Sequence, residues 1–87
     1  MDSLFKTVQE SKDLPLSEKV ANQISDLIKE QNIAVGDRLP NEFELAEKLN
    51  VGRGTIREAV KILVARNCLE IRRGKGTFVT AALGKVE

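Results

Sequence analysis

Two short helical patterns separated by only three residues constrain the fold most strongly. A helix is predicted to begin after Asn41, a good N-cap residue whose partner Glu44 completes a capping box, and to end near Leu49. Asn50 tolerates the left-handed conformation that turns the chain. The next helix is predicted from about Arg53 to Arg66. Two helices joined by so tight a turn are typical of a helix-turn-helix.

An earlier helix precedes this pair. It is predicted to start after Ser17, whose side chain would cap it, and to end near Gln31. The connector that follows turns at Gly36-Asp37, with Val35 and Leu39 as apolar anchors. Apolar residues at helical spacing, which we expect to form the core, are Val20, Ala21, Ile24, Leu27, Ile28, Leu45, Ala46, Leu49, Ile56, Ala59, Val60, Leu63 and Val64, with Val51 between the last two helices.

A short β-hairpin is predicted after the third helix. Residues 69–72 alternate apolar and polar like a half-buried strand, 74–76 form a Gly-Lys-Gly turn, and 77–79 return as a β-branched and aromatic strand. Cys68, just before the hairpin, is expected to be a reduced thiol that is either part of the core or half-buried. The predicted fold class is therefore mainly α with a small β-hairpin: a winged helix-turn-helix over residues 16–79.

Length and composition limit what else the chain can contain. With 87 residues, there is room for one small domain. Residues 1–15 are expected to form an N-terminal arm, and residues 80–87 the start of a linker. No apolar run approaches the roughly 20 residues of a membrane span, and the N-terminus lacks the pattern of a secretory signal. We therefore expect a cytoplasmic protein with no membrane partner.

Charge is distributed unevenly along the chain. Residues 53–75 hold seven basic and two acidic side chains, a net charge of +5, whereas residues 1–52 hold six basic and ten acidic ones, a net charge of −4. This asymmetry indicates a half that faces a polyanion and an opposite half that faces solvent or a protein.

The third predicted helix carries basic residues on one side. At about 100° per residue, Arg53, Arg57 and Lys61 lie within roughly 80° of one another. A helix fits the major groove of B-DNA, where guanidinium groups pair with guanine or anchor phosphates. Gly54, like Gly52, removes a side chain where the helix start would approach the DNA, and Thr55 keeps a hydroxyl there for a phosphate.

The hairpin tip is a second basic element. Arg72, Arg73 and Lys75 cluster around Gly74, and a purely structural hairpin does not require this charge. Glycine lets the tip adopt positive φ and approach a phosphate or the minor groove. The two basic elements together predict binding of double-stranded DNA. RNA is less expected, because the chain has three Phe, no Tyr and no Trp to form aromatic platforms.

Other functional classes are less consistent with these residues. A winged-helix module whose basic face binds an acidic protein is the alternative, and exposed apolar residues on the third helix would favour it. An enzyme is not expected, because the chain has no His and one Cys and shows no evident pair of catalytic carboxylates. We therefore assign no catalytic residue, no metal ligand and no cofactor.

The motif LPNEFELAEKLNVGRGTIREAV…LEIRRGKGTFV resembles the N-terminal DNA-binding domain of the GntR family of bacterial transcription regulators, and most closely its FadR-like (FCD) branch. The resemblance covers about residues 16–79. It implies that Arg53 and Arg57 contact base edges or nearby phosphates, that Thr55 contacts a phosphate, and that Arg73 with Gly74 enters the minor groove.

Two features depart from the family pattern. Phe43 stands where the second helix usually has a basic residue, so one DNA contact is missing or replaced by packing. Gly52 and Gly54 stand where Ser or Thr commonly flank the first arginine. Site preference is therefore expected to differ from that of relatives.

The resemblance also has implications beyond this domain. Family members carry a C-terminal effector domain that binds a small metabolite and dimerises. The resemblance implies that residues 80–87 start a linker toward such an effector domain, which is absent here, and that the protein is nucleoid-associated. The chain thus resembles an excised DNA-binding half of a metabolite-responsive repressor, whose homodimeric parent would bind a palindromic operator.

Overall fold

Three helices and an antiparallel hairpin follow one another in the computed structural model, which describes residues 14–80. The elements are α1 (Leu16–Glu30), α2 (Glu42–Leu49), α3 (Arg53–Ala65), β1 (Leu69–Arg72) and β2 (Gly76–Val79). This order confirms the predicted winged helix-turn-helix. The predicted arm, apart from residues 14 and 15, and the predicted linker, apart from residue 80, lie outside the described residues.

The start of α1 differs from its prediction. The helix begins at Leu16 rather than after Ser17, and Pro15 is the N-cap residue, with no side-chain cap. The Pro15 carbonyl accepts hydrogen bonds from the backbone N–H groups of Glu18 and Lys19, at 3.0 and 3.1 Å. As the N-cap residue Pro15 has φ −55° and ψ 150° and has no N–H to satisfy, so its carbonyl starts the helix without the Ser17 hydroxyl.

Both ends of α2 agree with the sequence. The Glu44 N–H donates to Asn41 Oδ1 at 2.8 Å, and the Asn41 N–H donates to Glu44 Oε1 at 3.0 Å, which completes the capping box. At the other end Asn50 adopts φ 57° and ψ 49°, the left-handed conformation. These local interactions set where α2 begins and where the chain turns into α3.

Asn41→Ala is expected to lower the free energy of unfolding by about 1 kcal/mol, since it removes the cap of α2. Urea unfolding followed by circular dichroism measures this. Asn22→Ala is the matched control: Asn22 is an exposed residue inside α1, where alanine is the better helix former, so that variant should not lose stability. An equal loss in both variants would contradict the capping role.

The core lies between α1 and α3, which pack extensively against each other, and α2 and the hairpin close its sides. Four residues of the α1 stripe and four of the α3 stripe are buried, and the remaining predicted core residues are half-buried and packed against them. The buried apolar residues are Val20, Ala21, Ile24, Ile28, Leu39, Leu45, Ala46, Ile56, Ala59, Val60, Leu63, Leu69 and Val79. Cys68 is a half-buried free thiol, as predicted.

The hairpin carries fewer core residues than its sequence pattern indicates. β1 and β2 pair from Leu69 opposite Val79 to Arg72 opposite Gly76, and only Leu69 and Val79 are buried. Ile71, predicted to be half-buried, is 56% exposed, because the strands leave the core after this first pair. Val35, predicted as an anchor of the connector, is 54% exposed, and Leu39 alone fulfils that role.

An interaction that the sequence did not predict fastens the hairpin to the connector before α2. Arg38 forms an isolated antiparallel bridge with Phe78. The Leu39 N–H donates to the Thr77 carbonyl at 2.8 Å, and the Val79 N–H donates to the Asp37 carbonyl at 3.0 Å. β2 therefore has a backbone partner on each side, β1 on one and residues 37–39 on the other. These contacts hold the hairpin of residues 69–79, called the wing below, in place relative to α2 and α3.

Candidate nucleic-acid interface

The three predicted basic side chains of α3 are exposed, while its apolar stripe faces the core. Arg57 and Lys61 line a groove between α3 and the wing, whose floor includes Ile56, Val60 and Ile71. Arg53, in the first turn, instead lines a hollow next to α2. The basic side of α3 thus borders two adjacent depressions.

Arg57 is held by an acidic side chain of α2. Its Nε donates to Glu42 Oε2 at 2.9 Å and its Nη2 donates to Glu42 Oε1 at 3.1 Å. These hydrogen bonds, helped by the charges of Arg57 and Arg53, hold the pKa of Glu42 below its ordinary value of about 4.5. The bidentate pair fixes the plane of the guanidinium and leaves Nη1 for an external acceptor. Glu42 was not identified from the sequence, which predicted Arg57 as a DNA contact without a partner on α2.

Glu42 is expected to make folding stability depend on pH. A carboxyl whose pKa is lowered by folding stabilises the folded state above its unfolded pKa, and this contribution is lost as the pH falls through the folded pKa. Between about pH 6 and about pH 3, Glu42→Gln should therefore lose less unfolding free energy than the native chain. Urea midpoints across this range measure the effect. Arg57→Gln should also lose less unfolding free energy over this pH range, because Glu42 then lacks its partner. If both variants kept the pH dependence of the native chain, the proposed coupling between Glu42 and Arg57 would be wrong.

Lys61 has a weaker partner. Its Nζ lies 3.4 Å from Glu58 Oε2, three residues earlier on the same helix, and both side chains are well exposed. Exposed pairs of this kind contribute little to stability and exchange readily for other partners. Lys61 therefore remains available to an anion at the edge of the groove.

The wing presents its bases in two ways. The Arg72 guanidinium lies 4.4 Å from the centre of the Phe78 ring and 3.5 Å from Glu70, so the side chain rests on the outer face of the hairpin. Arg73 and Lys75 lie exposed in the turn itself, on either side of Gly74. Gly74 has φ 75°, a conformation that disfavours any side chain and makes the tip narrow.

Arg38 is a basic residue of the connector that lies against the wing, and sequence reasoning missed it. Its Nη1 donates to the Lys75 carbonyl at 3.4 Å, so its exposed guanidinium lies at the wing tip. A Cβ on Gly76, which has φ 124°, would come within 2.8 Å of Arg38 Cδ, so this glycine leaves the space that the Arg38 side chain occupies. The separation of 37 residues between Arg38 and Lys75 offers no sequence signal for this contact.

The first turn of α3 is open around its glycines. A Cβ on Gly52 or Gly54 would meet no atom within 4 Å, so packing within the described residues does not require glycine at either position. Thr55 is half-buried. Phe43 is 54% exposed, so it does not replace the missing basic residue of α2 by packing into the core. The face formed by α2 and the start of α3 is therefore accessible to a large ligand.

Exposed apolar residues bear on the alternative of a protein-binding module. Among residues 14–80, the exposed large apolar side chains are Leu16, Val35, Phe43 and Ile71. None belongs to α3, whose exposed side is basic, so the feature that would favour a protein-binding module is missing from this helix.

The three helices of residues 14–80 do not include a membrane-spanning candidate, because none of them combines the necessary length with the necessary hydropathy.

Solved structures with this fold include DNA-binding domains. A Streptococcus agalactiae GntR structure is 51% identical, with a TM-score of 0.73 over 82% of this chain and 34% of that chain. The AraR DNA-binding domain in complex with operator ORX1 is 36% identical, with a TM-score of 0.71 over 80% of this chain and 84% of that chain. Similarity of this extent confirms the fold class.

Sequence relatives are regulators. The Uxu operon transcriptional regulator of Escherichia coli (strain K12) is 42% identical over 62 residues, which cover 71% of this chain and 24% of the relative. This similarity supports the finer prediction of the FadR-like branch. The chain spans about a quarter of the length of the curated relatives it matches.

The family model for bacterial regulatory proteins of the gntR family matches residues 16–79, the same range that the sequence motifs delimit. The members of this family are regulatory proteins, which agrees with the prediction that this domain is not an enzyme. The fold and the basic helix and wing agree with this match, which shows that the chain belongs to the GntR family of bacterial regulatory proteins.

Proposed function

We propose that residues 16–79 read an operator in double-stranded DNA, as the DNA-binding domain of a bacterial transcription regulator. The observation that carries the proposal is the exposed basic side of α3 beside a basic wing tip, in a fold that the AraR domain uses on its operator. α3 would enter the major groove, and the wing would reach the adjacent minor groove.

Each basic element has a distinct role in this arrangement. Arg53 and Arg57 contact base edges or phosphates at the start and middle of α3, and Lys61 contacts a phosphate further along. Gly54 allows a close approach of the DNA, and Thr55 donates its hydroxyl to a phosphate. At the wing, Gly74 shapes the tip that carries Arg73 and Lys75, and Arg72 of β1 and Arg38 of the connector add two more basic groups beside it.

The wider assembly is also part of the proposal. The longer protein acts as a homodimer, held together by a C-terminal effector domain, on a palindromic operator. It is a cytoplasmic, nucleoid-associated repressor that responds to a small metabolite, and the DNA-binding domain itself uses no cofactor. Relatives named as repressors, such as NanR of Enterobacter sp. (strain 638), 38% identical over 65 residues, support this direction of control.

Salt dependence tests the DNA-binding proposal. Fluorescence anisotropy with a labelled duplex should show affinity falling steeply with salt, because each neutralised phosphate releases counterions; four neutralised phosphates give a log–log slope of about −3.6. Arg73→Ala with Lys75→Ala should flatten the slope by about one for each phosphate that the variant no longer neutralises. Binding that is indifferent to salt, or equal for duplex and single strand, would overturn the proposal.

A further inference from the structure

A shallow hollow lies on the surface where α2 meets the first turn of α3. Phe43 and Arg53 both line it, together with Val51 and Gly52. The Phe43 side chain is 54% exposed. A large aromatic ring normally contributes to stability by burial, and the described part of the chain leaves half of this one in water. Gly52 also lines the hollow and adds no side chain there.

We propose that this hollow is a binding site for the 5-methyl group of a thymine, with Phe43 as the side chain that contacts the methyl. The inference rests on the proposed function, which places α3 in the major groove. Because Phe43 and Arg53 line the same hollow, Phe43 would lie near the base pair that Arg53 contacts.

The chemistry of duplex DNA selects this occupant. Base faces are stacked inside the duplex, so the ring cannot stack on them. In the major groove the apolar group that a standard base pair presents is the thymine methyl, and phenylalanine is one of the side chains that contact it. An exposed ring at the groove therefore favours thymine over the other three bases.

Charge around the hollow argues against a phosphate as its occupant. Glu47 also lines the hollow, and its carboxylate would repel a phosphate placed beside Phe43. Arg53 remains free to take a polar partner at the edge, such as a guanine or the backbone. The hollow thus combines an apolar contact with a neighbouring charged one, which together distinguish base sequence.

Replacing thymine by uracil tests the inference, because uracil lacks only the methyl and keeps its base pairing. A duplex selected from a random pool by the native chain is synthesised with dT or with dU, and both affinities are measured by fluorescence anisotropy. The native chain should bind the dU duplex about fourfold more weakly per contacted methyl. Phe43→Ala should bind the dT duplex more weakly by the same factor and should bind the two duplexes equally.

Val35→Ala is the matched control, since Val35 is also 54% exposed but does not line the hollow. That variant should keep the native preference for dT, and Phe43→Leu should keep part of it. A native chain indifferent to the methyl, or a Phe43→Ala variant that retains the full preference, would overturn the thymine site while steep salt dependence still supported duplex binding. Salt-independent binding would instead remove the proposed function and the thymine site together.

Discussion

Replacing Arg53 by alanine is expected to weaken binding of a selected operator duplex roughly 5- to 150-fold, from the loss of about 1–3 kcal/mol of a bidentate base contact. Arg53 is exposed in the first turn of α3 and makes no ion pair with residues 14–80 that would have to break. Anisotropy titrations measure the loss. Competition with an unrelated duplex should show that discrimination between sequences also falls.

Arg66→Ala provides the control for this experiment. Arg66 is an exposed arginine at the C-cap of the same helix, at the end opposite to Arg53. Its removal changes the net charge equally and should leave binding close to that of the native chain. If both variants lost affinity equally, Arg53 would be contributing only general charge, and the base-reading role would have to be assigned elsewhere.

Ile24→Ala is expected to lower the free energy of unfolding by about 2–5 kcal/mol. Ile24 is fully buried on the face of α1 that packs against α3, so its truncation removes apolar burial and leaves a cavity in the core. A small domain is stabilised by only about 5–15 kcal/mol in total, so this single change threatens the fold. Urea unfolding by circular dichroism provides the measurement.

Leu16→Ala is the comparison for Ile24→Ala. Leu16 is a large apolar residue of the same helix but is 56% exposed, so its truncation should change stability by less than about 0.5 kcal/mol. A small loss in Ile24→Ala, or a large one in Leu16→Ala, would mean that α1 does not pack against α3 through the face described.

Much of the fold was predictable from local sequence patterns. Asn41 and Glu44 are three residues apart, and their capping box forms as predicted. The apolar stripes of α1 and α3 face the core, because spacings of three and four residues place side chains on one side of a helix. The start of α1 was predicted wrongly, since the backbone properties of Pro15 decided it and the Ser17 side chain did not.

Exposure was predicted less well at the edges of the core. Val35 and Ile71 follow patterns typical of buried residues, yet both are more than half exposed. Alternation along a strand gives the face of each side chain but not how far the core extends beneath it. The partner surface decides that, and it is composed of residues distant in the sequence.

For the candidate interface, the sequence by itself determined which residues carry charge and on which helix or turn they lie. The DNA-contacting roles of Arg53, Arg57, Arg73 and their neighbours stay predictions. Only the tertiary structure decided that Glu42 holds Arg57 across 15 residues, that Arg38 reaches Lys75 across 37, and that Phe43 shares a hollow with Arg53. The physical reason is the range of the interactions. Helix caps, stripes and turns join residues a few positions apart and leave a periodic signal, whereas contacts between elements depend on packing angles that no local pattern encodes.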